Sequence, residues 1–379
     1  MDLSARLASQ RTKGLYRQHR LVDGPQQVCL NIQGRELVNF SSNDYLGLAN
    51  HPQVRDAFID GVNRYGVGAG AAHLITGHNR AHEEVEDALA AYTGRDRALL
   101  FSTGYMANLG VLSALVDRHQ VIYQDRLNHA SLIDAGILSR ASVRRYQHND
   151  VADLERQLDG RSGILATDGV FSMEGDIAPL AELAATAKAH DLLFMVDEAH
   201  DFGVLGDNGD GSVAMAGLDQ QQVPLIMGTL GKAMGTYGAF VAGSEGYIEA
   251  LIQFARSYIY TTAPPAAIAC ASLASLQILQ EDRERRHRLM QNIAYFQDAT
   301  KSVGLPVAGQ QTPIQPVVFK DIESLMQAQQ QLESAGLIIG AIRPPTAPGP
   351  MLRITLSSEH QPQHIDMLVH ALSAVVNGG

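Results

Sequence analysis

Tryptophan is absent from this chain, cysteine occurs twice, and basic residues are outnumbered by acidic ones, 29 to 40, for a formal net charge of -11. The two cysteines, Cys29 and Cys270, lie far apart without metal-ligand spacing, which supports neither a disulfide framework nor a zinc site. The acidic balance argues against a general nucleic-acid binder, which carries a basic excess, though a local basic pocket for an anionic substrate stays open. No uninterrupted apolar segment reaches membrane-spanning length. The first residues, Met-Asp-Leu-Ser-Ala-Arg, are polar and lack the apolar stretch of a secretion signal. The expectation is a soluble cytoplasmic protein with no nucleic-acid or membrane partner.

What is present is an ordinary globular composition, 45% hydrophobic and 18% charged over 379 residues, enough for two domains. Residues 1–20 read as one amphipathic helix, with Leu3, Leu7 and Leu15 among Arg6, Arg11, Lys13, Arg17 and Arg20; a solvated basic face explains the pattern equally well. Short alternating stretches over 28–39 predict a hairpin. Apolar strand-like runs at 98–102, 121–124, 163–167, 192–197, 225–229 and 239–242 alternate with helical patterns such as 82–92, 151–158 and 180–190. That alternation predicts an α/β fold, with a mainly parallel sheet covered by helices. A long Ala-rich helix after Pro264-Pro265 and a charged run, 281–288, lead into a smaller α+β domain with strands near 314–319, 337–341 and 352–355. The boundaries expected are an arm over 1–48, a large domain over 49–275 and a small domain over 276–379.

Lys232 stands in Gly228-Thr-Leu-Gly-Lys-Ala-Met-Gly235, among small residues, about 35 positions after Met195-Val-Asp-Glu-Ala-His200. A lysine that forms a Schiff base with an aldehyde has to be uncrowded and partly desolvated, so that a useful fraction is neutral. A carboxylate at the end of a buried strand, Asp197 here, keeps a pyridinium nitrogen protonated and makes the ring an electron sink. A lone lysine near glycines is usually a solvated loop residue; the Asp-x-x-His element makes the pair point to pyridoxal phosphate chemistry.

Other groups fit around that pair. Phe101-Ser-Thr-Gly-Tyr-Met-Ala-Asn108 follows a strand and opens a helix, where the N–H groups at Gly104 and Tyr105 suit a phosphate; a plain helix cap explains the motif as well. His129, just past an apolar strand, is a candidate for stacking on an aromatic cofactor, with a buried hydrogen-bonded histidine as the alternative. Ser172 and His200 follow strands and are candidates for the cofactor's phenolic oxygen, and Thr229 for its phosphate. The glycine-rich Tyr65–His73 segment departs from the dinucleotide fingerprint and has no strand before it.

Asn43-Asp-Tyr-Leu-Gly-Leu48, Gly66-Val-Gly-Ala-Gly70, Asp125-Arg-Leu-Asn-His-Ala-Ser131, Gly169-Val-Phe-Ser-Met-Glu-Gly-Asp176, Val196-Asp-Glu-Ala-His200 and Thr229-Leu-Gly-Lys232 together resemble the α-oxoamine synthases. These are fold-type I pyridoxal phosphate enzymes that condense an amino acid with an acyl thioester and release carbon dioxide. Ala341-Ile-Arg-Pro-Pro-Thr346 is most similar to the biotin-pathway member, which joins L-alanine to a pimeloyl thioester, carried by coenzyme A or an acyl-carrier protein. The resemblance implies pyridoxal 5'-phosphate on Lys232, Asp197 at the pyridine nitrogen and His129 stacked on the ring. It implies Ser172, His200, Thr229 and the Gly104–Tyr105 backbone as further cofactor ligands. Asn43, Thr346 and Arg353 are implied as substrate contacts, Arg353 toward the amino-acid carboxylate. Arg17, with Arg20 in competition, is implied for the acyl chain. No metal is implied, and a homodimer with shared active sites is. Two departures stand out: Asp201 where the family has a small residue, which adds negative charge near the site, and Ala72 where serine is common.

Overall fold

The computed structural model describes residues 2–377. The chain forms two compact units: one holds residues 48–172 and 176–286, the other the N-terminal residues through Gly47, 173–175 and the segment from His287 onward.

In chain order, β1 (Cys29–Ile32) and β2 (Arg35–Asn39) form the expected antiparallel hairpin. Next come β3 (Arg97–Phe101), β4 (Val121–Asp125), β5 (Ser142–Tyr146), β6 (Gly163–Asp168), β7 (Leu192–Asp197), β8 (Leu225–Thr229) and β9 (Ala239–Gly243). The last strands are β10 (Ile314–Val318), β11 (Leu337–Ile338), β12 (Gly340–Ile342) and β13 (Met351–Thr355).

β3 to β9 make a seven-stranded sheet in the order β3-β9-β8-β7-β6-β4-β5. Its pairs are parallel except at β9, which runs antiparallel to both β3 and β8. The central strands carry near-continuous apolar runs because helices cover both faces, so neither side chain direction meets water. Ile122, Ile164, Ala166, Met195, Leu225, Met227 and Val241 are buried with Val111, Leu112 and Leu132 of the covering helices. β5 was not expected: its Ser-Val-Arg-Arg-Tyr sequence is only half-buried at the sheet edge, where apolar patterning is weak.

The other unit differs from expectation in two places. The N-terminal helix covers Leu3–Thr12 rather than 1–20, and none of its residues is buried. It stops at Gly14, whose φ of 65° is left-handed. The single strand expected over 337–341 is broken, with β11 pairing parallel to β2 while β12 pairs antiparallel to β13. Among the described residues, no helix is long and apolar enough to cross a membrane.

Candidate active site

Four strands of the large sheet end, at their carboxyl edge, in a polar residue: Asp125 on β4, Asp168 on β6, Asp197 on β7 and Thr229 on β8. Ligands of parallel α/β sheets collect at this edge. A cavity there, about 160 Å³, is lined by Gly104, Tyr105, His129, Asp197, His200, Thr229 and Lys232, together with Asn108, Ser131 and Asp168.

Lys232 sits on a tight turn beyond β8. Leu230 N–H donates to the Gly238 carbonyl at 2.9 Å, Thr236 N–H to Leu230 at 2.8 Å, and Gly235 N–H to Lys232 at 2.8 Å. Gly235 is required: its φ is 64°, and a Cβ would stand 2.3 Å from the Ala49 nitrogen. The Thr229 hydroxyl donates to the Gly238 carbonyl at 3.1 Å and accepts from Gly231 N–H at 3.3 Å, so it braces the lysine turn as well as facing the cavity. The Lys232 amine lies 2.7 Å from Nε2 of buried His200 and donates to it.

Asp197 is 4% exposed. Its Oδ2 accepts from Asn108 Nδ2 at 2.7 Å and its Oδ1 from Ala199 N–H at 3.0 Å. The same Asn108 nitrogen donates to Ser131 Oγ at 2.8 Å, and Ser131 Oγ lies 2.8 Å from His129 Nδ1. Since Ser131 N–H also donates to that Nδ1, at 3.3 Å, the ring keeps its proton on Nε2. His129 is accordingly held below the usual histidine range; desolvation at the cavity wall outweighs the attraction of Asp197, and Lys232 adds to the lowering. A neutral, flat imidazole is thereby offered to the cavity.

Asp168 supports this arrangement from behind. Its Oδ2 accepts from His129 N–H at 3.0 Å, and its own N–H donates to Asn128 Oδ1 at 3.2 Å. The helix Gly104–Leu115 starts at Thr103, whose hydroxyl accepts from Met106 N–H at 3.2 Å. Its first turn presents N–H groups without intrahelical partners to the cavity, a fit for phosphate. The Tyr105 hydroxyl donates to Asp134.

The sequence-predicted residues divide into groups. Gly104, Tyr105, His129, Asp197, His200, Thr229 and Lys232 meet at the one cavity; Ser172, on the turn after β6, does not line it. The four substrate candidates belong to the other unit and fall into two contacts. Arg17 Nη2 donates to Thr346 Oγ1 at 3.2 Å, and Arg353 Nη1 to Asn43 Oδ1 at 3.1 Å. Arg20 instead pairs with Glu333 at 2.6 Å. Asp201 is fully buried and does not line the cavity; burial pushes its carboxyl up to about 7, and Ser212 N–H donates to it at 3.1 Å. The negative charge expected from it near the site is therefore only partial at neutral pH. Asn108, Ser131 and Asp168 were missed. Asn108 closes the phosphate motif one helical turn after Gly104, a spacing that does signal a shared face.

Pyridoxal phosphate fits this set. An amine, a buried carboxylate with two donors, a neutral imidazole and a helix start converge on one cavity, and the Asn108 Oδ1 and Asp168 Oδ1 atoms beside it are buried without a partner in the protein. Comparison with known proteins agrees. The model of the class I and II aminotransferases matches residues 35–372. The 8-amino-7-oxononanoate synthase of Nitrosococcus oceani is 51% identical over 98% of this chain and 100% of that protein. That of Pseudomonas putida strain F1 is 51% identical over 98% and 96%. Among solved structures, serine palmitoyltransferase from Sphingomonas wittichii superposes with a TM-score of 0.93 at 30% identity, covering 99% of this chain and 96% of the other. The 8-amino-7-oxononanoate synthase of Francisella tularensis gives 0.81 at 34% identity, covering 90% and 98%. The chain belongs to the class I and II aminotransferase family, among the 8-amino-7-oxononanoate synthases.

Proposed function

We propose that this chain catalyses the decarboxylative condensation of L-alanine with a pimeloyl thioester, of coenzyme A or an acyl-carrier protein, yielding 8-amino-7-oxononanoate, carbon dioxide and free thiol for biotin biosynthesis. The observation that carries the reading is the convergence of Lys232, Asp197 and His129 on one cavity, in a chain 51% identical over its length to synthases of that name.

Bound pyridoxal phosphate supplies an electron sink for the carbanion at the alanine Cα. Asp197, oriented by Asn108 and the Ala199 N–H, holds a proton on the ring nitrogen. His129, at the cavity wall with its pKa lowered, would offer an uncharged ring for the cofactor to stack on. Lys232 would hold the cofactor through its amine and, once freed, would be the base that removes the alanine Cα proton. Its bond to His200 holds the amine in place during that transfer. A bond then forms between Cα and the thioester carbonyl carbon, the thiolate leaves, the α-carboxylate departs as carbon dioxide, and a proton returns to Cα. Gly104, Tyr105 and Thr229 would hold the phosphate and His200 the phenolic oxygen, with Ser172, on the turn after β6 and outside the cavity lining, a ligand only if that turn meets the bound cofactor. Arg353 with Asn43 receives the amino-acid carboxylate, and Arg17 with Thr346 receives the acyl substrate.

The assembly belonging to this reading is a cytoplasmic homodimer in which each cofactor meets residues of both chains. In support, Gly66, Gly68 and Gly70 face open space within the single chain, and Val67 between them is 82% exposed. A glycine-rich loop that nothing in its own chain crowds is suited to approach a partner's phosphate.

Thiol release with L-alanine, glycine and L-serine against pimeloyl and shorter thioesters tests the reaction. The expected result is the highest specificity constant for alanine with the pimeloyl thioester. A higher value for glycine with a short acyl group, or for serine with a long one, assigns a sister activity instead.

A further inference from the structure

His148 lies just past β5 and is not used by the chemistry above. Its Nδ1 is 3.1 Å from Asp125 Oδ1 and its Nε2 is 2.8 Å from Asp176 Oδ2. With a carboxylate oxygen at each nitrogen, both nitrogens donate and the ring is cationic. Asn149 repeats the connection: its N–H donates to Asp125 Oδ2 at 2.8 Å and its Nδ2 to Asp176 Oδ2 at 3.0 Å. Asn149 reaches both because its φ is 52°, in the left-handed region that asparagine tolerates better than most residues. Phe171 meets the imidazole edge to face, with centroids 4.4 Å apart.

Each carboxylate is the root of a turn. Asp125 ends β4, is fully buried, and accepts from Leu127 N–H at 2.8 Å, while Asn128 N–H donates to its carbonyl at 3.2 Å. That turn delivers His129. Asp176 closes the turn that carries Ser172: Phe171 N–H donates to the Asp176 carbonyl at 3.0 Å, and Val170 bridges Ile177. The two turns leave adjacent strands, β4 and β6, whose backbone ladder stops at Gln124–Ala166. Beyond it Asn128 Nδ2 donates to the Ala166 carbonyl and His129 N–H to Asp168, at the root of the second turn, while His148 and Asn149 reach its far end at Asp176.

We propose that His148 is a positioning residue, a cationic clasp that fixes the His129 turn against the Ser172 turn and so sets the spacing of two groups around the cofactor. The assignment rests on the reading of His129 and Ser172 as cofactor ligands. A histidine suits the place because only an imidazolium offers two in-plane donors pointing in opposite directions from a rigid ring. Burial opposes its charge, but the hydrogen bonds to Asp125 and Asp176 prevail, and its pKa is raised to about 10.

Hydrogen exchange and cofactor affinity of the full chain, with His148→Gln and separately Asp176→Asn, test the clasp. Glutamine cannot donate at both ends; asparagine at 176 leaves the ring and removes one anionic acceptor. In both variants, exchange should quicken in segments 126–131 and 171–177 together, with the rest of the large sheet unchanged. Binding of pyridoxal phosphate to the folded fraction should weaken about tenfold, the size of one lost charged hydrogen bond. Quickening confined to one turn, or spread evenly over the sheet, contradicts the clasp, as does unchanged cofactor affinity. His129→Ala and Ser172→Ala examine the underlying assignment separately. If both bind cofactor as the parent does, those two residues are not ligands, while the exchange pattern still decides whether His148 couples the turns.

Discussion

Asp168 and Asp197 stand opposite each other as the last residues of adjacent parallel strands, β6 and β7. Two carboxyls in that register cannot share a buried edge as equals. Asp168 is 3% exposed, and its Oδ1 has no partner in the protein. Burial, reinforced by the charge of Asp197, raises its pKa far above the carboxylate range, although the His129 N–H opposes this. Burial and the neighbouring Asp197 thus favour the protonated form of Asp168, whereas Asp197 accepts from two donors, Asn108 Nδ2 and Ala199 N–H.

Substitution should separate the two. Asp168→Asn keeps an acceptor for the His129 N–H and changes only a carboxyl whose protonated form burial already favours, so activity should stay within a few-fold of the parent. Asp197→Asn removes the charge that keeps a proton on the ring nitrogen, and should slow α-proton exchange of alanine by at least about a hundredfold, roughly 3 kcal/mol, with cofactor still bound. Proton exchange followed by NMR reads both. Equal losses in the two variants would contradict the division of roles.

The sign of a pH effect follows from His148. Its folded-state pKa, about 10, lies above the ordinary histidine value of 6.5. The stability it contributes is thus fully present below about pH 6.5, declines as pH rises, and is gone above about 10, a contribution on the order of 3–5 kcal/mol. Urea denaturation of the parent and His148→Gln should show the largest gap at pH 6 and convergence near pH 10. A gap that widens with pH would reverse the assignment.

The glycine-rich loop gives a third test. Gly68 has open space around its Cβ position and no left-handed backbone, so Gly68→Glu should fold normally as a chain. In a dimer with shared sites it should nevertheless lose cofactor. Mixing Gly68→Glu with Lys232→Ala should restore up to one working site per heterodimer, and sedimentation should give twice 40.9 kDa. A fully active monomer, or no recovery after proven chain exchange, would sink the shared site.

These tests also mark where the sequence was legible. The inner strands were found because burial on both faces writes an unbroken apolar run, as in Leu192-Leu-Phe-Met-Val-Asp197. β5 escaped because an edge strand with Arg144 and Arg145 needs no such run. Lys232, Asp197 and His129 were visible because each carries its chemistry in its own side chain and stands just past a strand. Asp168 and Ser131 were not, since their roles come from register and from a hydrogen-bond chain through Asn108 that exists only when the helix Gly104–Leu115 packs against β8, β9 and the helix Ala130–Ser139. The charge expected of Asp201 could not be judged from sequence, because its burial away from the cavity lining has no local signature.

The account depends most on Lys232. Borohydride fixes bound pyridoxal phosphate to the amine that holds it, and peptide mass mapping then locates the modified lysine. The expected result is one modified peptide containing Gly231-Lys232-Ala233, with Lys232→Ala unmodified and without turnover. Modification at Lys188 or any other lysine, or normal condensation by Lys232→Ala, would contradict the account.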